Sequence, residues 1–136
     1  MKVLLVSFLV ATSIFLVIDV IWLSLSVSYF YQPQIGDLLR DSPLILPAGL
    51  FYLIYPLGVA VLVIIPKLHN GSFGSILLNG LVFGVVAYGT YNLTNMAALK
   101  GWSVNVVIVD MIWGGVLTGV SAVLSTFLAR RILKIK

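Results

Sequence analysis

Four long apolar runs divide the chain: residues 3–31, 44–65, 75–97 and 104–129. Each holds the roughly 20 residues that a helix needs to cross a hydrocarbon core of about 30 Å. Inside lipid there is no water to satisfy a free N–H or C=O, so each run must close its own backbone hydrogen bonds as a helix. The expected fold is therefore all-α: a single integral membrane domain, 1–136, built as a four-transmembrane-helix bundle. Composition agrees. Soluble domains are about 45–50% apolar and about 25% charged; this chain is 61% hydrophobic and 9% charged, with a mean hydropathy of +1.17. That is more apolar surface than one small core can hide, so much of it must face lipid.

The breaks between the runs carry turn chemistry. Gln32-Pro33-Gln34 through Asp41-Ser42-Pro43 separates the first two, Pro66 through Gly71 the next two, and Lys100-Gly101-Trp102 the last two. The last break is short, which makes the third and fourth helices antiparallel neighbours. In the first break Ile35, Leu38 and Leu39 fall on one helical face, the pattern of a short interfacial helix between helices 1 and 2. Lys2 ahead of an apolar run resembles the start of a signal peptide. The run is too long, however, holds Asp19 and lacks a small-x-small cleavage site, so an uncleaved helix is expected.

Positive charge sets the expected orientation. With the N-terminus inside, Lys2, Lys67, Arg130, Arg131, Lys134 and Lys136 are cytoplasmic, and only Arg40 and Lys100 are outside. Both termini are then cytoplasmic. The net charge of +4 collects at the ends of apolar runs, so it points to topology and not to nucleic acid. No Cys and a single His exclude disulfides, Fe–S clusters and Cys-based zinc sites. No metal site or cofactor is expected. His69 reads as a solvated loop residue.

Of four acids in the chain, Asp19 and Asp110 lie within apolar runs. A carboxylate near mid-helix costs about 2.5–3.5 kcal/mol on insertion scales and usually faces a bundle interior or cavity. At 1.5 Å per residue, Asp19 lies about 24 Å from the inner edge and Asp110 about 9 Å below the outer edge. Both acids therefore fall in the outer half. Other polar residues share that layer. Tyr88, Tyr91, Asn92 and Asn95 follow i, i+3, i+4, i+7 spacing on one face, and Thr90 and Thr94 lie beside it. Tyr52 and Tyr55 descend from the outer end of the second run, next to Pro56. Trp22 and Trp113 each follow an acid by three residues. The expected ligand-binding cluster is Asp19, Trp22, Tyr52, Tyr55, Tyr88, Tyr91, Asn92, Asn95, Asp110 and Trp113, with Asp19 and Asp110 the candidate catalytic pair.

Plainer readings stand beside this one. Buried Asp and Asn are often interhelical hydrogen-bond partners and nothing more. Trp22 and the Tyr29-Phe30-Tyr31 group suit an interfacial aromatic belt. Asp19 could accept from Trp113, and Asp110 from Trp22, but the depths disfavour that register by about two turns of helix. Gly80 and Gly84, and Gly115 and Gly119, form GxxxG pairs in the middle or inner half. They predict third and fourth helices that are tight below and wider above, leaving a pocket at the carboxylates. The same faces could dock a homo-oligomer or a larger membrane partner.

The segments Ile18-Asp19-x-x-Trp22-Leu23, Phe51-Tyr52-Leu53-x-Tyr55, Thr90 through Asn95, Gly101-Trp102 and Asp110-x-x-Trp113-Gly114-x-x-Leu117-Thr118-Gly119 resemble the bacterial domain-of-unknown-function 2177 family. The resemblance implies a four-helix bacterial inner-membrane protein and no particular activity. It also implies an Asp at the position of Asn92, where this chain has one acid fewer.

Three functions fit. The first is binding of a small amphipathic or lipid-like ligand in an outer-half pocket, since aromatic walls with a few convergent polar groups make such sites. Two carboxylates close together could share a proton and couple that site to protons. The second is an intramembrane acid–base enzyme acting on a lipid or isoprenoid, with Asp19 and Asp110 as acid and base. The third is an accessory or assembly subunit of a larger membrane complex. Membrane lipids are the expected surroundings in every case.

Overall fold

The computed structural model describes residues 1–135. It holds four helices long and apolar enough to cross a membrane: α1 (Lys2–Leu38), α2 (Ile45–Lys67), α3 (Phe73–Ala98) and α4 (Val104–Leu133). No strand occurs among the described residues. Lys136, one of the cations used above to orient the chain, lies outside them.

The helix ends differ from the apolar runs where polar residues can continue or cap a helix. Ser72 caps α3, its hydroxyl accepting from the Ser75 N–H at 3.2 Å. Ser103 caps α4 in the same way, accepting from Asn105 N–H at 3.2 Å. These caps satisfy N–H groups that have no partner within the first turn. At its other end α4 continues through Arg130 and Arg131, cations that favour the negative end of the helix dipole. Lys134, at φ 56°, then ends it in the left-handed region.

The largest departure is in α1. The helix continues past the first run through Gln32-Pro33 to Ile35, where φ −140° and ψ 24° break its backbone, and a short 3-10 turn over Gly36–Leu38 follows. Val27–Tyr31 forms a π-turn, closed by the Gln32 N–H bonding to the carbonyl of Val27. Pro33 follows in the first positions of the next turn, where a missing N–H is tolerated. α2 carries its own π-turn at Ala60–Ile64, four residues past the buried Pro56.

α1 packs against α2 and α4, and α4 packs along most of α3. In the half that holds the termini this arrangement closes around a dry core of Ala11, Val59, Val63, Ile64, Leu68, Ile76, Ala122 and Ala129. Arg130 ties the same end together. Its Nε donates to the Leu68 carbonyl at 2.7 Å and its Nη2 to the carbonyls of Lys67 and Gly71 at 3.1 and 2.6 Å. Its guanidinium also lies 5.2 Å from the Phe73 ring centre. Outward-facing residues such as Val17, Ile21, Leu78, Val86 and Ile112 are exposed, as a lipid-facing surface requires.

Gly80, Gly84, Gly115 and Gly119 are all buried where α3 meets α4. A Cβ on Gly80 would stand 2.7 Å from the Gly119 Cα, so here the two backbones touch. The expected tight zone exists, but α3 and α4 do not part above it. The short 99–103 connection holds them together, and Gly89 against Met111 and Asn92 against Asp110 continue the contact. The bundle opens instead on the other side of α3. The outer part of α2 packs mainly on α1, and α2 reaches α3 and α4 through Tyr55, Gly58 and its π-turn. Away from the termini, then, a cleft separates α2 from α3 and α4.

Candidate functional site

Asp19 belongs to the buried face of α1, Ser7-Ala11-Phe15-Asp19, which repeats every four residues. Asp110 occupies the matching face of α4, with Gly114, Leu117, Thr118 and Ser121. Both carboxylates are buried, at 5% and 3% exposure, and each gathers its own donors. On Asp19, Oδ2 accepts from the Tyr52 hydroxyl at 2.7 Å and Oδ1 from the Trp113 indole N–H at 3.2 Å. On Asp110, Oδ1 accepts from the Tyr31 hydroxyl and Oδ2 from the Tyr91 hydroxyl. The Asn92 amide adds a third bond to Asp110 Oδ2 at 3.2 Å.

The partners are themselves held. Trp22 donates its indole N–H to the Tyr31 oxygen at 3.2 Å. Its ring also stacks on Trp113, with centroids 4.3 Å apart and planes 14° from parallel. Asn92 is fully buried; its amide also donates to the Tyr88 carbonyl at 3.1 Å, and its oxygen accepts from Trp102 at 3.2 Å. One stacked pair of indoles thus links the two carboxylates: Trp113 serves Asp19, and Trp22 reaches Asp110 through Tyr31.

The Trp113–Asp19 bond overturns the register that depth arithmetic favoured. Counting depth from residue 3 as the inner edge of a core of about 30 Å set Asp19 too near the far surface. With α1 running on to Leu38, Asp19 sits at mid-helix and level with Trp113. Direct donation from Trp22 to Asp110 is replaced by the relay through Tyr31.

Tyr31 is the residue that sequence periodicity misses, and the π-turn is the reason. On an uninterrupted α-helix, twelve residues carry Tyr31 about 120° around the axis from Asp19. A π-turn inserts one extra residue, which leaves eleven steps of rotation and brings Tyr31 within about 20° of Asp19. The phenol that reads as a belt anchor therefore points inward. Tyr29, 88% exposed, points out.

Between these groups and α2 lies a cavity of about 1040 Å³. It is lined by all four helices and by the 39–43 connection. Asp19, Trp22, Tyr52, Tyr55, Tyr88, Tyr91, Asp110 and Trp113 all reach it, with apolar residues such as Leu23, Val27, Phe51 and Ala87. Tyr55 bonds Thr118 at 2.7 Å, and its ring lies 5.7 Å from Phe83 and 6.0 Å from Tyr88, closing the floor. Phe51 on α2 and Tyr91 on α3, 37% and 41% exposed, mark the open side. Asn92 is behind the wall as a second layer. Asn95 stands outside the lining, although it shares a nominal face with Tyr88 and Tyr91. Arg40 lines the cavity from the exposed 39–43 segment; its place in a loop gave no sequence signal. Trp102, which orients Asn92, gave none beyond its part in a motif.

Among the described residues no three His, Cys, Asp or Glu side chains lie where they could hold a metal ion. The groups available for chemistry are two carboxylates, phenols that can pass protons to them, and aromatic walls that exclude water. No curated protein and no solved structure matches the chain. A family model does, over residues 4–127, and its description is "predicted membrane protein". With nearly the whole length matched and four apolar helices of spanning length, the chain belongs to the DUF2177 family of predicted membrane proteins.

Proposed function

We propose that this is a bacterial inner-membrane protein, with both termini cytoplasmic, whose outer-half cavity binds a small amphipathic or lipid-like molecule. The observation that carries the reading is the cleft between α2 and α3. It leads from the lipid-facing side to a cavity of about 1040 Å³ with two carboxylates in its lining. Ligand pockets are mostly apolar concavities with a few convergent polar groups, and this one has that composition. The apolar part of the ligand would lie on Phe51, Leu23 and Val27, and its polar part would meet Asp19 and Asp110. Exchange through the side of the bundle would spare the ligand a passage through water.

A second reading, an acid–base enzyme acting on a lipid or isoprenoid, draws on the Tyr31–Asp110–Tyr91 chain. Phenols hydrogen-bonded to a carboxylate that lines a cavity form a short proton path.

One experiment separates these readings. Wild type and Asp110→Asn are purified in mild detergent and extracted with organic solvent, and the bound molecules are identified by mass spectrometry. A compound enriched in wild type and lost in the variant supports binding. A new compound derived from an added lipid supports turnover. Ordinary phospholipid in both, with equal stability, refutes the two readings and leaves a subunit that assembles with other proteins.

A further inference from the structure

We infer that the polar part of the ligand is a cation, a protonated or quaternary amine or a similar onium group on an apolar body. This rests on the binding reading above and narrows it. Among the described residues the five donors that hold Asp19 and Asp110 are three phenols, one indole and one amide, and none is charged. Removing charge from water without an opposite partner is costly, and every donor in place offers a dipole only. Asp19 is the more open of the two. A carboxylate offers about four lone-pair positions, and Asp19 uses two of them.

The walls favour the same charge. Aromatic faces carry negative quadrupoles that attract a cation, most strongly once water is excluded. The Trp22–Trp113 stack, Tyr52, Tyr55 and Tyr88 surround the approach to Asp19. An anionic head group would meet two carboxylates that have no cation beside them among the described residues, a repulsion that rejects it. Among the described residues Arg40 is the one cation in the lining, and it belongs to the exposed 39–43 rim. There it can attract an anionic substituent of the ligand without neutralising Asp19.

Two near-isosteric ions test the inference: tetraphenylphosphonium and tetraphenylborate. Binding to the full chain in uncharged detergent is measured by equilibrium dialysis for wild type, Asp19→Asn and Arg40→Gln. Chromatographic and circular-dichroism profiles confirm that each variant is folded. Saturable phosphonium binding is expected, at least about tenfold weaker in Asp19→Asn and undiminished in Arg40→Gln, with no saturable borate binding. If Asp19→Asn does not fold, Trp113→Phe, which removes an indole donor and half of the stack, is expected to weaken phosphonium binding and serves instead. Equal binding of the two ions, or phosphonium binding indifferent to these substitutions, overturns the inference.

A third probe keeps the inference separate from the binding reading. A brominated monoacylglycerol is neutral and quenches tryptophan when it enters the cavity; Trp102→Phe removes the one indole outside the lining. Saturable quenching without phosphonium binding refutes the cation and keeps the amphiphile site. Failure of both probes refutes both.

Discussion

Replacing Gly80 by Ala tests the α3–α4 contact on which the cavity rests. The added methyl would meet three backbone atoms: the Gly119 Cα at 2.7 Å, the Gly119 nitrogen at 3.1 Å and the Thr118 carbonyl at 3.1 Å. Backbone cannot swing aside as a side-chain tip can. To reach ordinary contact at 3.4 Å the helices must separate by about 0.7 Å. Overpacking of this kind costs about 1–3 kcal/mol. Gly74→Ala is the matched control, because a Cβ there has nothing within 4 Å and alanine is the better helix former by about 1 kcal/mol. Unfolding in dodecyl sulfate, followed by circular dichroism, should show Gly80→Ala less stable by about 1–3 kcal/mol. Gly74→Ala should be unchanged or slightly more stable. Gly80→Ala within about 0.5 kcal/mol of wild type, or equal losses in both variants, would mean that the two backbones do not touch at Gly80.

Other consequences are as direct. Tyr31→Phe and Asp110→Asn should be energetically coupled by about 0.6 kcal/mol, and at most about 1.7 kcal/mol, in a double-mutant cycle of unfolding; zero coupling would mean that the π-turn does not turn Tyr31 inward. The stacked indoles should give a near-ultraviolet circular-dichroism signal that Trp22→Phe and Trp113→Phe each abolish, whereas a signal surviving either change would rule out the stack. Arg130→Lys keeps the charge but loses the fork that reaches three carbonyls. It should cost about 1–3 kcal/mol and speed hydrogen exchange across residues 68–72, and normal exchange there would show that Arg130 does not hold the loop.

Much of this protein was legible in the sequence, for reasons that differ from residue to residue. The four helices follow from lipid, which leaves an apolar run of this length no other way to satisfy its backbone. The convergence of Asp19, Asp110, Tyr52, Tyr88 and Tyr91 follows from cost, since such groups turn inward or toward one another. What escaped depended on helical phase. A single extra residue at Val27–Tyr31 rotates everything beyond it, and periodicity assumes that no such residue exists. Asp19 comes out too high for a separate reason: its depth is counted as though the hydrocarbon core began at residue 3. Asn95 failed in the opposite way: it is on the right stripe, but its helix passes the cavity before reaching it. The position of the cleft, between α2 and α3, depends on which helix leans where, and no composition or spacing records that.

The way α2 is attached divides the molecule mechanically. α3 and α4 are joined backbone to backbone, and α4 carries α1 along its length. The outer end of α2 forms a cantilever, braced on α1 and rooted at Tyr55, which bonds Thr118, at Pro56 and at the π-turn of 60–64. One wall of the cavity can therefore swing while the wall bearing both carboxylates stays still. The size of the guest and the chemistry of its recognition are then set by different parts of the chain. Substitutions along the outer stretch of α2, Tyr52 and Tyr55 excepted because they hold Asp19 and the floor, can retune the first without disturbing the second, and that stretch is where a library aimed at a larger or smaller guest belongs.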